Sequence, residues 1–281
     1  METHVFLAVL AAAALHAGWN ALLKLRLEPL MAITLISIAA GLVAVPVLPF
    51  VPLPHAAAWP YILASLALHM IYYLALGEAY RTGELSRVYP IARGSAPLIT
   101  AIGATVLVGE RLGTVGALGI VILATGILLL SFRRGEAISR VDLRPVGFAL
   151  LTAFSIAAYT LVDGIGARLA GSATPYAAWL FALDGIMMLA FGLWKWPATL
   201  APEFRKNAVM MLAGGAMSMV AYAIAIWAMT QAPIALVGAL RETSVLFAAL
   251  IGVVFLREPL LASRIVAAAL VVLGIIIVRL K

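Results

Sequence analysis

No cysteine occurs in the chain. Disulfides, thiolate metal sites and cysteine nucleophiles are therefore excluded. Charge is scarce as well: 11% of the 281 residues are Asp, Glu, Lys or Arg, against 65% hydrophobic, and the mean hydropathy is +1.12. A soluble domain of this size cannot hide so much apolar surface, so the composition points to an all-α polytopic membrane protein. Long polar stretches are missing too. The longest, Arg133 to Arg144, is about a dozen residues and leaves no room for a water-soluble domain. A formal charge of +7 would suggest nucleic acid in a soluble protein. Here the basic residues sit in short loops between apolar segments, so the lipid bilayer is the expected partner and nucleic acid is not. Nothing resembles a phosphate-binding loop, so no direct ATP drive is expected. The leader Met1-Glu2-Thr3-His4 lacks a basic region, and the first apolar run reads as a membrane helix rather than a cleaved signal.

Ten apolar segments of about 20 residues are each long enough to cross a hydrocarbon core of roughly 30 Å. They cover approximately 4–23, 30–50, 60–80, 88–108, 113–132, 146–167, 174–194, 208–230, 234–256 and 262–280. Backbone groups in lipid need internal partners and nothing alternates with a period of two, so all ten are expected to be helical. Pro29, Pro60, Pro145 and Pro175 fall near segment starts, where a missing N–H matters little. Pro90 and Pro97 lie inside the fourth segment, and Pro233 starts the ninth, as ordinary kinks or as hinges.

Residues 93–130 recur as residues 241–278 without a gap, at an offset of 148, with eight of 38 positions identical. Arg241 falls on Arg93, Glu258 on Glu110, Leu260 on Leu112 and Gly274 on Gly126. Two related parts follow: residues 1–132, a connecting loop at 133–145, and residues 146–281. Each holds five segments, an odd number, so the second is expected upside down relative to the first. Loops after odd segments hold Lys24, Arg26, Arg81, Arg87, Arg133, Arg134, Arg140, Arg144, Lys195, Arg205, Lys206, Arg257 and Arg264, which is 13. The other side holds Arg111, Arg168, Arg279 and Lys281, which is four. The excess places the odd loops in the cytoplasm and both termini outside it. Inverted repeats around a central cavity are a transporter signature, with the substrate near the midplane. On this reading Arg93 lies near the cytoplasmic end of its helix and Arg241 near the outer end of its own.

The turns Gly109-Glu110-Arg111-Leu112 and Arg257-Glu258-Pro259-Leu260, with the polar first segment carrying His16, Trp19, Asn20 and Lys24, resemble the drug/metabolite transporter superfamily. The likeness is to its ten-helix form with two EamA-type domains, and within it to bacterial inner-membrane exporters of aromatic amino acids. The resemblance implies a basket of helices. The first, third, fourth, sixth, eighth and ninth segments would line a central cavity, and the fifth and tenth would pack as a pair. Small four-helix members use a membrane-embedded Glu in their first helix for proton coupling. Here the first segment has no carboxylate between His4 and Lys24, so that route to proton antiport is in doubt.

Polar side chains within membrane segments usually face the protein interior, as hydrogen-bonding glue or as cavity lining. His16 and Asn20 are four apart and share a face of the first segment. His69, Tyr73, Leu76 and Tyr80 follow the 4-3-4 spacing of one helical face in the third, beside Tyr72. Such a stripe suits an amphipathic solute, although Tyr80 is close to an end, where interfacial belts also recruit Tyr. Ser155, Tyr159 and Asp163 recur every four residues in the sixth segment, and the eighth contributes Ser218, Tyr222 and Trp227. Arg93 and Arg241 read either as structural ion pairs or as groups that guard a mouth or attract a carboxylate. Glu78, Asp163 and Asp184 could titrate if buried. Gly119 and Gly126 share one face of the fifth segment, and Ala267 and Gly274 of the tenth, which suits close packing of that pair or an oligomer contact. Glu110 and Glu258 read as turn caps or loop ion pairs. The expectation is a secondary transporter exporting small amphipathic metabolites, amino acids above all, by alternating access and without metal or cofactor. Export of other metabolites or drugs, a channel and a membrane-embedded enzyme are the alternatives. An enzyme would need a catalytic cluster, and His16 and His69 have no acid spaced with them in sequence.

Overall fold

The computed structural model describes residues 1–22, 27–83, 85–130, 142–256 and 262–280, with side-chain surroundings for all but 21–22, 85–87, 252–253, 255–256 and 262–264. The turn at Arg257-Glu258-Pro259-Leu260, the loop residues Lys24, Arg26, Arg133, Arg134 and Arg140, and Glu84 lie outside the described residues or side chains. All regular structure among the described residues is helical. The elements are α1 (Thr3–Leu22), α2 (Pro29–Ala44), α3 (Trp59–Thr82), α4 (Leu85–Leu107), α5 (Thr114–Leu129), α6 (Leu143–Leu169), α7 (Ala173–Lys195), α8 (Leu200–Lys206), α9 (Ala208–Gln231), α10 (Ile234–Arg241), α11 (Ser244–Leu256) and α12 (Ala262–Arg279). Among the described residues, seven helical stretches are long and apolar enough to cross a membrane: Pro29–Phe50, Ala56–Thr82, Val88–Leu107, Leu143–Leu169, Ala173–Lys195, Ala208–Gln231 and Ile234–Ile251. Thr114–Leu129 and Ile265–Arg279 are apolar but shorter. The outer face is itself apolar, with Leu7, Leu63, Ile102, Phe154, Ile186 and Val220 exposed, as lipid contact requires.

Two segments depart from the uniform helices that their composition suggests. After Ala44 the second tightens into a 3-10 stretch, Val45–Phe50, where Pro46 and Pro49 cannot donate to a regular α ladder. The ninth is broken between α10 and α11. Across Glu242 and Thr243 the backbone bonds shorten to a three-residue span, including Thr243 N–H to Leu240 O at 3.1 Å and Leu246 N–H to Thr243 O at 2.8 Å. The Thr243 hydroxyl also donates to Leu240 O at 2.6 Å. These bonds satisfy polar groups that the break would otherwise leave bare in a buried setting. By contrast α4 runs unbroken through Pro90 and Pro97. The short helix α8, too brief to register as an apolar segment, fills the connection between α7 and α9.

The packing is set by close backbone contacts. α3 lies on α6, α1 on α9, α2 on α7 and α5 on α12. At the α2–α7 crossing two glycines meet: a methyl group on Gly41 would come within 2.7 Å of the Gly185 Cα. In the α5–α12 pair, methyl groups on Gly119, Gly126 and Gly274 would meet Val278, Val271 and Leu123 at 2.7–2.8 Å. Ascending α5 from Gly119 to Gly126 descends α12 from Val278 to Val271, so these helices are antiparallel. Only a missing Cβ allows the approach.

Glu110 ties the two parts of the chain together. Its carboxylate accepts the backbone N–H groups of Ile234 (2.8 Å) and Ala235 (3.2 Å), the unsatisfied donors at the start of α10. It also pairs with Arg168 at 3.0 Å, and Arg168 donates to Met229 O and Ala232 O at the end of α9.

Candidate functional site

A small cavity of about 60 Å³ lies among α1, α2, α3, α6, α7, α9 and α10. Its wall is mostly aromatic: Trp19, His69, Tyr72, Tyr73, Tyr159, Phe181 and Tyr222, joined by His16, Ser37, Ser218 and Arg241. The expected wall is amended in two respects. α2 and α7 contribute through Ile33, Ile36, Ser37 and Phe181, and no α4 residue reaches it.

His69 is the hub of the aromatic cluster. Its ring stacks on Tyr159 at 4.3 Å and 18°, and its centroid lies 5.9 Å from both Tyr73 and Tyr222. Its Nδ1 lies 2.9 Å from the Ser65 carbonyl and 3.1 Å from the Ser65 hydroxyl. A carbonyl only accepts, so Nδ1 carries the hydrogen and Nε2 holds a lone pair. Behind the rings lie two buried carboxylates. Tyr73 donates to Asp184 Oδ2 at 2.9 Å. Tyr222 and Tyr176 donate to the two oxygens of Asp163, the latter at 2.9 Å. Asp184 Oδ1 is buried without a hydrogen bond of good geometry, with the Ser37 hydroxyl close by.

At the break between α10 and α11 three charged side chains meet. Arg93 of α4 donates to both Glu242 oxygens at 3.0 and 3.3 Å and also contacts His16. Arg241 approaches Glu242 at 3.9 Å, donates to the Tyr159 hydroxyl at 3.1 Å and lies over the Tyr222 ring at 4.8 Å. All three are buried, with side chains at most 5% exposed. Separate mouths for the two arginines are therefore not what forms: one carboxylate holds both. The reason is the break, which points adjacent residues Arg241 and Glu242 inward together. Arg93 is committed to this pair. Arg241 also faces the cavity and keeps one buried donor, Nε, without a partner.

Of the residues picked from sequence, His16, His69, Tyr73, Tyr159, Tyr222 and Arg241 come together in the cavity wall. Asp163 stands one layer behind. Asn20, Leu76, Tyr80, Ser155 and Trp227 are not among the residues lining the cavity. The Asn20 amide donates to His16 O at 2.8 Å, and the Ser155 hydroxyl to Leu151 O at 2.9 Å, so both serve their own helices. Leu76 packs among buried side chains of its own cluster, and Tyr80 against Ala79, Val88, Ala92 and Ala149. The Trp227 ring faces His4, 5.9 Å away, at the start of α1. Tyr72, Trp19 and Phe181 were missed as wall residues. Tyr72 is adjacent to the chosen stripe, and a helix face wider than one residue would have included it. Among the described residues no group of three or more His, Asp and Glu could hold a metal ion.

Residues 143–280 match the model of the EamA-like transporter family. The carboxy-terminal half is thus similar to the EamA-like transporter family. It contributes Tyr159, Phe181, Tyr222 and Arg241 to the cavity, and α1–α3 of the first half close the EamA-like surface from the other side. A solved structure described only as "Crystal structure of protein" superposes with a TM-score of 0.73, covering 99% of this chain and 96% of the other at 18% identity. At that identity the likeness extends to the fold. No match was found among curated proteins.

Proposed function

We propose that the protein is a secondary transporter of small amphipathic amino acids, with the substrate carboxylate bound by Arg241. The observation that carries this reading is the Arg241 guanidinium, buried at the wall of an aromatic cavity with its Nε unsatisfied. A buried, unpaired donor on a cation favours an anionic ligand such as a carboxylate. The tyrosine faces suit an apolar or aromatic side chain, and the ammonium group has ring faces and tyrosine oxygens within reach of the same space.

The architecture we propose for this is two five-helix repeats, residues 1–132 and 146–281, crossing the bacterial inner membrane ten times with both termini outside the cytoplasm. The α5–α12 contacts support the repeat. Gly126 meets Val271 and Gly274 meets Leu123, and each residue differs from its counterpart by 148 (274−126 and 271−123), the offset seen in sequence. Pairing of α3 with α6 and of α1 with α9 has the same exchange symmetry. Rocking of the halves about the cavity would expose it to either side in turn.

The test is counterflow into proteoliposomes loaded with L-phenylalanine, L-leucine, L-glutamate or L-lysine. The expected result is saturable uptake of labelled L-phenylalanine or L-leucine that depends on internal substrate. Flux independent of internal substrate would mean a channel, and no flux with any amino acid would overturn the amino-acid reading.

A further inference from the structure

A groove on the outside of the bundle is larger than the aromatic cavity and shares no residue with it. It encloses about 470 Å³ where four helix ends come together: the start of α2, the end of α3, the start of α6 and the end of α7. Its rim is charged, with Glu28, Glu78, Arg81 and Lys195. Its wall is apolar, with Leu30, Ile71, Leu74, Phe148 and Leu151, and Ala75 and Gly77 are too small to fill the hollow. The two zones are stacked along the bundle. Leu74 and Ile71 are seven and ten residues from Arg81 on α3, and Leu151 is seven from Arg144 on α6. At 1.5 Å per residue the apolar wall therefore lies about 10–15 Å inward of the charges. Ile71, Leu74 and Leu151 are 41–43% exposed, so the wall is open to whatever surrounds the bundle. Trp194, next to Lys195, is 78% exposed, as an aromatic side chain at a membrane interface would be.

The rim charges do not cancel. Glu78 accepts from Arg81 at 2.7 and 2.8 Å and from Arg144 at 3.0 Å. A guanidinium has five N–H donors, so both arginines keep donors beyond these bonds. Lys195 carries its ammonium 5.3 Å from the Trp196 ring centroid, with no carboxylate partner among the described residues. Arg81, Arg144 and Lys195 against Glu28 and Glu78 leave one formal positive charge.

We infer that this groove binds a phospholipid of net charge −1, of the phosphatidylglycerol class. The phosphodiester takes Lys195 and the spare donors of Arg81 and Arg144, and an acyl chain runs along Ile71, Leu74 and Leu151. A charge of −1 matches the surplus on the rim, whereas a zwitterionic lipid brings a further cation to it. A small soluble anion would leave the apolar wall uncovered. The lipid touches α3 and α6, one from each part of the chain, beside the Glu78–Arg144 pair that joins them. The site does not depend on the transport reading. Only its leaflet, the cytoplasmic one, follows from the proposed orientation.

The test is native mass spectrometry of the delipidated full chain in neutral detergent. The protein is titrated with dioleoyl phosphatidylglycerol, phosphatidylethanolamine or phosphatidylcholine. The expected result is one tightly held phosphatidylglycerol per chain, bound at least about fivefold more tightly than either zwitterionic lipid. Arg81→Gln/Lys195→Gln should abolish that preference. Arg205→Gln/Lys206→Gln, on α8, makes the same charge change outside the groove and should keep it. All four residues are exposed, so both double variants leave the packed interior intact. The chain-free headgroup glycerophosphoglycerol should bind at least about tenfold more weakly than the lipid, because it cannot cover the wall. Equal affinity for the three lipids, or a preference that the α8 variant lowers as much as the groove variant, overturns the site. Headgroup binding as tight as that of the whole lipid would mean an anion site without a lipid and overturns the proposal as well.

Discussion

Glu242→Gln is the perturbation that most burdens this structure. It keeps the side-chain volume but removes the only carboxylate that Arg93 and Arg241 share, leaving two buried guanidinium groups facing each other. At an effective dielectric of about 20, a unit charge pair at the Arg93–Glu242 separation of 3.0 Å is worth roughly 5.5 kcal/mol, and at the Arg241–Glu242 separation of 3.9 Å roughly 4 kcal/mol. These gross attractions are offset by desolvation. Removing one partner of a buried pair typically costs about 3–5 kcal/mol, and that is the loss expected here. At about 2–4 °C per kcal/mol, the apparent Tm in detergent should fall by about 6–20 °C. Arg93→Met alone should cost less, since Glu242 keeps Arg241. The double variant Arg93→Met/Glu242→Gln removes one charge of each sign and should recover more than half of the loss. The assay is thermal denaturation followed by monodisperse elution on size exclusion. A Glu242→Gln protein as stable as the parent, or a double variant no better than the single, would refute the shared-carboxylate account.

Gly126→Leu and Gly274→Leu should each destabilise by about 1–3 kcal/mol or more, because the added side chain meets Val271 or Leu123 backbone at 2.7–2.8 Å; the same melting assay reads this. Glu110→Gln weakens the cap on α10 and the pair with Arg168, for an expected loss of about 1–2 kcal/mol, part of it screened at Arg168, which is 35% exposed. Tyr80→Phe and Trp227→Phe should leave amino-acid counterflow within about twofold of the parent, because neither residue reaches the cavity; a tenfold loss in either would mean that the cavity is drawn wrongly.

Much of the scaffold was readable before any coordinates. Apolar runs of membrane length leave a helix as the sole way to satisfy their backbone, and the Gly126/Gly274 spacing marks a surface where two helices close up. The cavity was readable in part. His69 and Tyr73 announce a face because they are four apart, but a 4-3-4 rule continued that face to Leu76 and Tyr80, past where α3 leaves the cavity. Asn20 and Ser155 share the right spacing with wall residues, yet carbonyls of their own helices capture them, a competition that spacing does not reveal. The meeting of Arg93 with Glu242 spans 149 residues, and inversion symmetry argued against it. What undoes the symmetry is the break after Arg241, which its counterpart α4 lacks. A signal existed in the run Arg241-Glu242-Thr243-Ser244, four polar residues inside an apolar segment, since a straight membrane helix rarely carries such a run. The same limit applies to His69 and the aspartates. They have no sequence spacing in common because tyrosines from α3 and α9 connect them.

The most direct measurement compares L-phenylalanine with phenethylamine, the same molecule without its carboxylate, in counterflow through the parent protein and Arg241→Gln. The expected result is saturable L-phenylalanine exchange in the parent, discrimination against phenethylamine, and loss of that discrimination in Arg241→Gln together with at least about a tenfold fall in kcat/KM for L-phenylalanine. Undiminished L-phenylalanine exchange by a well-folded Arg241→Gln protein, with the preference for the carboxylate intact, would contradict it.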